Sequence, residues 1–187
     1  MSQLPLRERI ANERRRLKSV REALTAAVAQ GAQGDPSYVA FYVSVADYMD
    51  AAMHRLHIQD VRMGELIRSR LGGTLDAKAG QALAELAERL SGNQAHLQEL
   101  LSSRDLLQKA GAPQLAQFEG VARDYTHYIT TNMGHHGATT DLAQALFSMD
   151  DWAYMAGVTE DETRREQSLY EQLFAAVPKG LKLPARQ

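Results

Sequence analysis

The chain contains no cysteine. This absence excludes disulfide scaffolds, thiolate zinc sites, iron–sulfur clusters and cysteine nucleophiles, so any metal site must use nitrogen and oxygen ligands. Proline and aromatic residues are scarce, with 5 prolines and an aromatic fraction of 6% among 187 residues. The abundant residues are Ala, Leu, Glu, Gln and Arg, which lose little side-chain freedom in a helix. The composition therefore predicts helices throughout.

A strong charge of one sign and a long apolar run are absent as well. The 21 basic and 23 acidic residues give a formal net charge of −2, too small to hold a polyanion non-specifically. Acids interleave with the basic run from Arg14 to Arg21, which indicates a solvated helix face rather than a nucleic-acid patch. No stretch approaches the about 20 apolar residues that cross a bilayer. We expect a cytoplasmic protein without nucleic-acid or membrane partners.

Apolar residues at three- and four-residue steps divide most of the chain into four long segments. The segments run from Leu6 to Val28, from about Ser37 to Leu71, from Thr74 to Leu107, and from Gln114 onward. Short glycine-containing loops separate them, and such loops connect antiparallel neighbours. The fourth segment contains Gly134 and Gly137, so it either breaks there or continues with strain.

Two capping boxes follow the long segments, Ser148 with Asp151 and Thr159 with Glu162, and each predicts a short helix. The predicted fold is therefore all-α. We expect one domain over residues 1–187, with an up-down-up-down antiparallel four-helix bundle over 6–147 and short C-terminal helices over 148–177.

Five polar residues fall on or beside the predicted apolar faces. Asp60 lies within the apolar stripe of the second segment and His57 precedes it by three residues, a spacing at which an imidazole and a carboxylate can reach one metal ion. His96 lies at the edge of the third stripe, and Asn132 and His136 continue the fourth face if the helix persists. Metal sites in bundles are built from side chains that converge from several helices. The pattern makes His57, Asp60, His96 and His136 candidate metal ligands.

The same residues have a structural interpretation that stays open. An inward histidine is often a hydrogen-bonded core residue, and Asp60 can pair with an arginine such as Arg14. Under that interpretation Arg14→Leu costs a few kcal/mol because it leaves a buried charge unpaired.

Several segments together resemble the hemerythrin-like (HHE cation-binding) family of four-helix bundles. They are Tyr48 to Asp60, Leu86 to His96, and Tyr128 to His136 followed by Asp151-Trp152-Ala153. The resemblance implies a non-haem iron centre with His57 and His96 among its ligands. It also implies dioxygen or redox-gas binding, sensing, or iron handling.

Several positions differ from the family pattern. Asp60 follows His57 by three residues rather than the usual four, and His136 stands where glutamate is common. Arg14 follows Glu13 where the family commonly has histidine, and Asn132 stands where a further histidine is common. A guanidinium cannot bind a metal. One ion is therefore an alternative to two, and zinc or manganese suits these donors nearly as well as iron.

Two further interpretations stay open. One is a bundle without metal that acts as an interaction or small-molecule-binding module. The other is an enzyme with an open coordination position. The sequence contains no nucleophile or cofactor loop that favours the enzyme.

Overall fold

The structure is a computed structural model that describes residues 6–72, 76–133 and 137–185. Within these ranges every regular element is helical, which confirms the predicted all-α class. The α-helices are α1 (Leu6–Gln30), α2 (Ser37–Arg70), α3 (Ala77–Ala110), α4 (Leu115–Tyr128), α5 (Gly137–Leu146), α6 (Met149–Met155) and α7 (Glu160–Ala175). A 3-10 turn over Ala112–Gln114 precedes α4, and a π-helix over Ile129–Met133 follows it.

The helix ends lie where local sequence signals place them. Gly111 ends α3 with a φ of 72°, a conformation that glycine adopts without steric cost. Both predicted capping boxes are formed. The side chain of Ser148 accepts a hydrogen bond from the Asp151 backbone at the start of α6, and Thr159 and Glu162 repeat the arrangement at the start of α7.

The sequence alone did not decide whether the fourth segment breaks at Gly134 and Gly137 or continues through them. It consists of α4, the π-helix and α5, and Gly134, His135 and His136 between them lie outside the described residues.

Helix α2 packs against helices that both precede and follow it in the chain. Consecutive helices from α1 to α4 contact one another, and α4 contacts α1, so these four helices form a closed ring of neighbours. α5, α6 and α7 also pack against α2. α2 and α3 are the longest helices, at 34 residues each, and no helix in the described ranges is apolar enough over its length to span a membrane.

The interior contains two apolar clusters rather than one. The larger is built around side chains such as Leu24, Tyr42, Met49, Leu100 and Phe118. The smaller is built around Met63, Ile67, Leu83, Leu86 and Ala143.

Polar residues occupy the gap between the clusters on three helices. On α2 the larger cluster extends to Leu56 and the smaller begins at Met63. Equivalent gaps separate Ile10 from Leu17 on α1 and Leu90 from Leu97 on α3. We call five of the buried or half-buried polar residues in these gaps the polar layer: Glu13, His57, Gln59, Asp60 and Asn93. The gaps also contain half-buried Asn12, Arg16, Arg62 and His96.

Candidate metal site in the polar layer

A buried arginine, Arg55, connects α1, α2 and α7. Its Nε donates to Glu166 Oε2 at 2.8 Å and its Nη2 to Glu166 Oε1 at 3.1 Å. Its Nη1 donates to Glu13 Oε2 at 3.0 Å and to Gln59 Oε1 at 3.4 Å. The hydroxyl of Tyr48 donates to Glu166 Oε1 at 3.4 Å. We call these five residues the ion cluster, and all five are buried.

The charges in the ion cluster are closely matched to its hydrogen bonds. Burial acts to lower the pKa of Arg55, but Glu166 and Glu13 outweigh burial and raise it, so the guanidinium stays charged. Burial raises the pKa of Glu13 above its usual range, and Arg55 opposes this rise. Paired, bidentate contacts of this kind are among the stronger hydrogen bonds in proteins. The ion cluster therefore joins three helices through its charged groups, although the buried Nε2 of Gln59 has no hydrogen-bond partner among the described residues.

The sequence contained a signal for the ion cluster that our prediction did not use. Arg55 follows Tyr48 by seven residues, so both lie on one side of α2. Glu166 precedes Tyr170 and Leu173 by four and seven residues on the inner side of α7. Both charged residues therefore fall on an apolar face.

His57 lies half-buried on α2 within the polar layer. Its Nδ1 atom is buried and has no hydrogen-bond partner in the structure. Buried polar atoms are normally bonded, and leaving one unpaired costs about 1–3 kcal/mol. This nitrogen can accept a bond from an added proton donor or bind a cation.

Asp60 is half-buried three residues after His57. It makes no hydrogen bond or ion pair with any described residue. Burial raises the pKa of Asp60 from 3.8 to about 6, while Arg89 and Arg14 act in the opposite direction. The Asp60 carboxyl therefore has oxygen atoms that can accept a proton or a cation.

The predicted ion pair between Arg14 and Asp60 is not formed in the part of the chain that the structure describes. Arg14 is exposed on α1 and acts on Asp60 only as a nearby positive charge. The buried arginine of the bundle is Arg55, on a different helix.

His96 lies half-buried on α3 and faces α4. Its ring centroid is 4.6 Å from that of Tyr128 and 6.3 Å from that of Tyr125. Its Nδ1 is 3.9 Å from Glu99 Oε2 on the same helix. Gly92 leaves room for this contact, because a Cβ there would lie 2.3 Å from the Tyr128 hydroxyl oxygen. His96 therefore belongs to an aromatic contact between α3 and α4.

The structure places the four predicted ligands in different surroundings. His57 and Asp60 share the polar layer, His96 packs against Tyr128, and His136 lies outside the described residues. Within the described ranges no group of three or more His, Asp or Glu side chains could hold a metal ion. The described donors therefore fit a metal only in part, through His57 and Asp60.

The π-helix after α4 was not predicted. It spans Ile129–Met133, and its wider turn changes which residues face inward after Tyr128. Asn132 was expected to point inward but is exposed, and its Nδ2 donates to the Tyr128 carbonyl at 3.1 Å. π-Helical turns are rare and often occur at functional sites.

Asp151, part of the segment that resembles the hemerythrin-like family, has a structural role. It caps α6 and pairs with Arg70, with Arg70 Nη2 at 2.6 Å from Asp151 Oδ1. Hydrogen bonds from Arg70 and from the Ser148 backbone lower the pKa of Asp151 to about 2. Its oxygen atoms are therefore already bonded, away from the polar layer.

Comparison with known proteins gives no guide to the function of this chain, so its residues must supply it. No protein-family model matches this chain, and no curated protein and no solved structure is significantly similar to it.

Proposed function

We propose that this protein is a hemerythrin-like metal-binding bundle, arranged up-down-up-down, that binds iron in its polar layer. One observation carries the proposal: the buried Nδ1 of His57 has no hydrogen-bond partner among the described residues, and the Asp60 carboxyl lies three residues further along the same helix. Two apolar clusters lie on either side of these residues. A cation between His57 and Asp60 satisfies both groups, because it takes a nitrogen ligand from one side chain and an oxygen ligand from the other.

His57 and Asp60 have distinct roles in this proposal. The imidazole supplies a neutral nitrogen ligand and the carboxylate supplies a negative oxygen ligand, a combination that suits iron, zinc or manganese. Arg89 and Arg14 lower the pKa of Asp60 against the effect of burial, so they favour the ionised form that binds a cation. Bound iron supplies the chemistry for binding dioxygen or another redox gas. His136 stays a predicted further ligand.

Metal content measured on protein purified without chelator tests the proposal. We expect about one metal ion per chain, with iron the main element, and loss of most of it in His57→Ala and in Asp60→Asn. His54→Ala is the matched control, because His54 is exposed one turn earlier on α2 and should leave the metal content unchanged. Circular dichroism confirms that each variant is folded. Metal-free wild-type protein, or equal metal content in His57→Ala and His54→Ala, would contradict the proposal.

A bundle without metal, acting as an interaction or small-molecule-binding module, is the second candidate. The ion cluster favours it, because Arg55 already compensates the charges of Glu13 and Glu166 and holds α1, α2 and α7 together. Thermal unfolding separates the two candidates. A bound metal raises Tm with metal concentration, whereas a metal-free module unfolds at the same Tm with chelator and with added Fe²⁺.

A further inference from the structure

A groove of about 440 Å³ lies beside α2, where the loop from α6 to α7 passes over it. Its walls include Ile58 and Arg62 of α2, Tyr154 of α6, Val158 of the loop and Glu162 of α7. Cavities of about 300–1,000 Å³ suit small organic molecules. The groove is separate from the predicted metal ligands.

Two of the charged groups that line the groove are already bonded. The Glu162 carboxylate accepts hydrogen bonds from the backbone nitrogen and the hydroxyl of Thr159, both at 2.8 Å, and these bonds lower its pKa. Arg55, at the wall of the groove, is bonded to the carboxylates of the ion cluster. Arg55 therefore has little hydrogen-bonding capacity left for a ligand, whereas both bonds to Glu162 reach its Oε2 atom.

Arg62 differs because it is fixed in place but only partly used. Its Nη1 donates to the carbonyls of Gly157 at 2.9 Å and Tyr154 at 3.3 Å. Its guanidinium carbon lies 5.2 Å from the centroid of the Tyr154 ring. Nε and Nη2 of Arg62 make no hydrogen bond with any residue in the described ranges. These two groups form one planar edge of the guanidinium, which matches the two oxygens of a carboxylate.

Apolar surface lies next to this edge. Ile58 and Val158 are half-buried, and Tyr154 remains 55% exposed although it is a large aromatic residue. We propose that the groove binds a small organic carboxylate, with the carboxylate on Arg62 and an apolar, flat body against Ile58, Val158 and Tyr154. The single guanidinium favours a monoanion over a phosphate dianion. The inference does not depend on a metal in the polar layer.

Three probes of one size but different charge test the proposal on the wild-type protein. Benzoate, benzyl alcohol and benzylamine are titrated while the amide resonances of the α6–α7 loop are followed by NMR, in the presence of a chelator. We expect benzoate to bind at least about tenfold more tightly than benzyl alcohol, because of the charge-assisted hydrogen bonds to Arg62. We expect benzylamine to bind more weakly than either. Equal binding of all three probes, or shifts outside the groove, would overturn the proposal.

Variants locate the site. Arg62→Gln should remove the preference for benzoate, and Arg62→Lys should keep only part of it because a lysine lacks the planar edge. Arg68→Gln, an exposed arginine on the same helix, is the matched control and should bind benzoate like wild type. A preference that persists in Arg62→Gln would overturn the assignment. If Arg62→Gln loosens the loop, the three-probe comparison on wild-type protein still decides.

Discussion

The ion cluster and the His57–Asp60 pair lie within two turns of each other on α2, yet the charged groups of the ion cluster are hydrogen-bonded to one another and those of the pair are not. The Arg55 guanidinium makes four hydrogen bonds to three side chains. His57 has a buried nitrogen without a partner, and Asp60 makes no hydrogen bond with any residue that the structure describes. The five residues of the ion cluster are buried, whereas His57 and Asp60 are half-buried, although the Nδ1 atom of His57 is itself buried.

This difference separates two uses of a polar residue inside a helical bundle. A saturated cluster has little left to offer a ligand, and its contribution is to hold helices in one arrangement. An unsatisfied pair costs stability unless something else completes it. The pair is therefore the better place to look for a bound ion, and the cluster is the better place to look for stability. The predictions below test that division.

The largest effect is expected from breaking the ion cluster. Arg55→Met leaves the buried carboxylates of Glu13 and Glu166 without their shared partner, and we expect a loss of about 3–5 kcal/mol in the free energy of unfolding. Urea denaturation measures it.

Two further variants show whether pairing is the cause. The triple variant Glu13→Leu, Arg55→Met, Glu166→Leu should recover most of the loss, because well-packed apolar side chains replace a buried ion pair at little cost. Arg68→Met, at an exposed position of α2, should change stability by no more than about 0.5 kcal/mol. If Arg55→Met lowers the free energy of unfolding by less than about 1 kcal/mol, the ion cluster does not stabilise the bundle. It would then not differ in this respect from the His57–Asp60 pair.

The next effect concerns the unsatisfied pair and depends on pH. The pKa of Asp60 in the folded chain is about 6, above its usual 3.8, so the folded state binds this proton more tightly than the unfolded state. Its contribution is complete at acid pH and is lost as pH rises through 6, at a cost of about 3 kcal/mol. Asp60→Asn should therefore be more stable than wild type above pH 6.

The readout for Asp60 is the difference in unfolding free energy between Asp60→Asn and wild type, from pH 4 to 8 in the presence of chelator. This difference cancels the groups that titrate in both proteins. Asp124→Asn, at an exposed position of α4, serves as the control for the removal of one carboxylate. If the difference in unfolding free energy for Asp60→Asn does not change with pH, the Asp60 carboxyl is solvated. The contrast with the ion cluster would then disappear.

A smaller effect tests whether His96 belongs to packing rather than to the pair. Gly92→Ala places a Cβ 2.3 Å from the Tyr128 hydroxyl oxygen, and the Tyr128 ring that contacts His96 must move. We expect a loss of about 1–3 kcal/mol, although alanine favours a helix by about 1 kcal/mol. Gly120→Ala on α4, where nothing lies within 4 Å of the added atom, should be stabilised instead. Equal effects of the two substitutions would show that Tyr128 does not lie against Gly92. The assignment of His96 to this aromatic contact would then be wrong.

Local signals explain the part of the fold that was predictable. The helix ends at Gly111 and the capping boxes of α6 and α7 depend on residues within one turn of each other, so the sequence displays them directly. His57 and Asp60 share one helix, and their common position in the polar layer follows from spacing alone.

The remaining features depend on distant parts of the chain. Arg55 and Glu166 are 111 residues apart, and a periodic pattern shows that each faces inward but not that they meet. The π-helix changes the inward face after Tyr128, which is why the expected position of Asn132 was wrong. His96 lay at the edge of its stripe, where a small rotation of α3 decides between the interior and a neighbouring tyrosine.

The smallest effect is expected at Arg14, where the sequence predicted a buried ion pair. Arg14 is exposed, so Arg14→Leu leaves no buried partner unpaired and should cost less than about 1 kcal/mol.

Arg14→Leu should still raise the pKa of Asp60, because Arg14 favours the ionised carboxylate. To test this, the difference in unfolding free energy between Asp60→Asn and the protein that retains Asp60 is measured against pH in the Arg14→Leu background. The midpoint of its pH dependence should lie at higher pH than without Arg14→Leu. Arg15→Leu, at the next exposed arginine, should leave that midpoint in place. A loss of several kcal/mol in Arg14→Leu would instead indicate that Arg14 and Asp60 form a buried ion pair. Asp60 would then be paired in the same way as the carboxylates of the ion cluster.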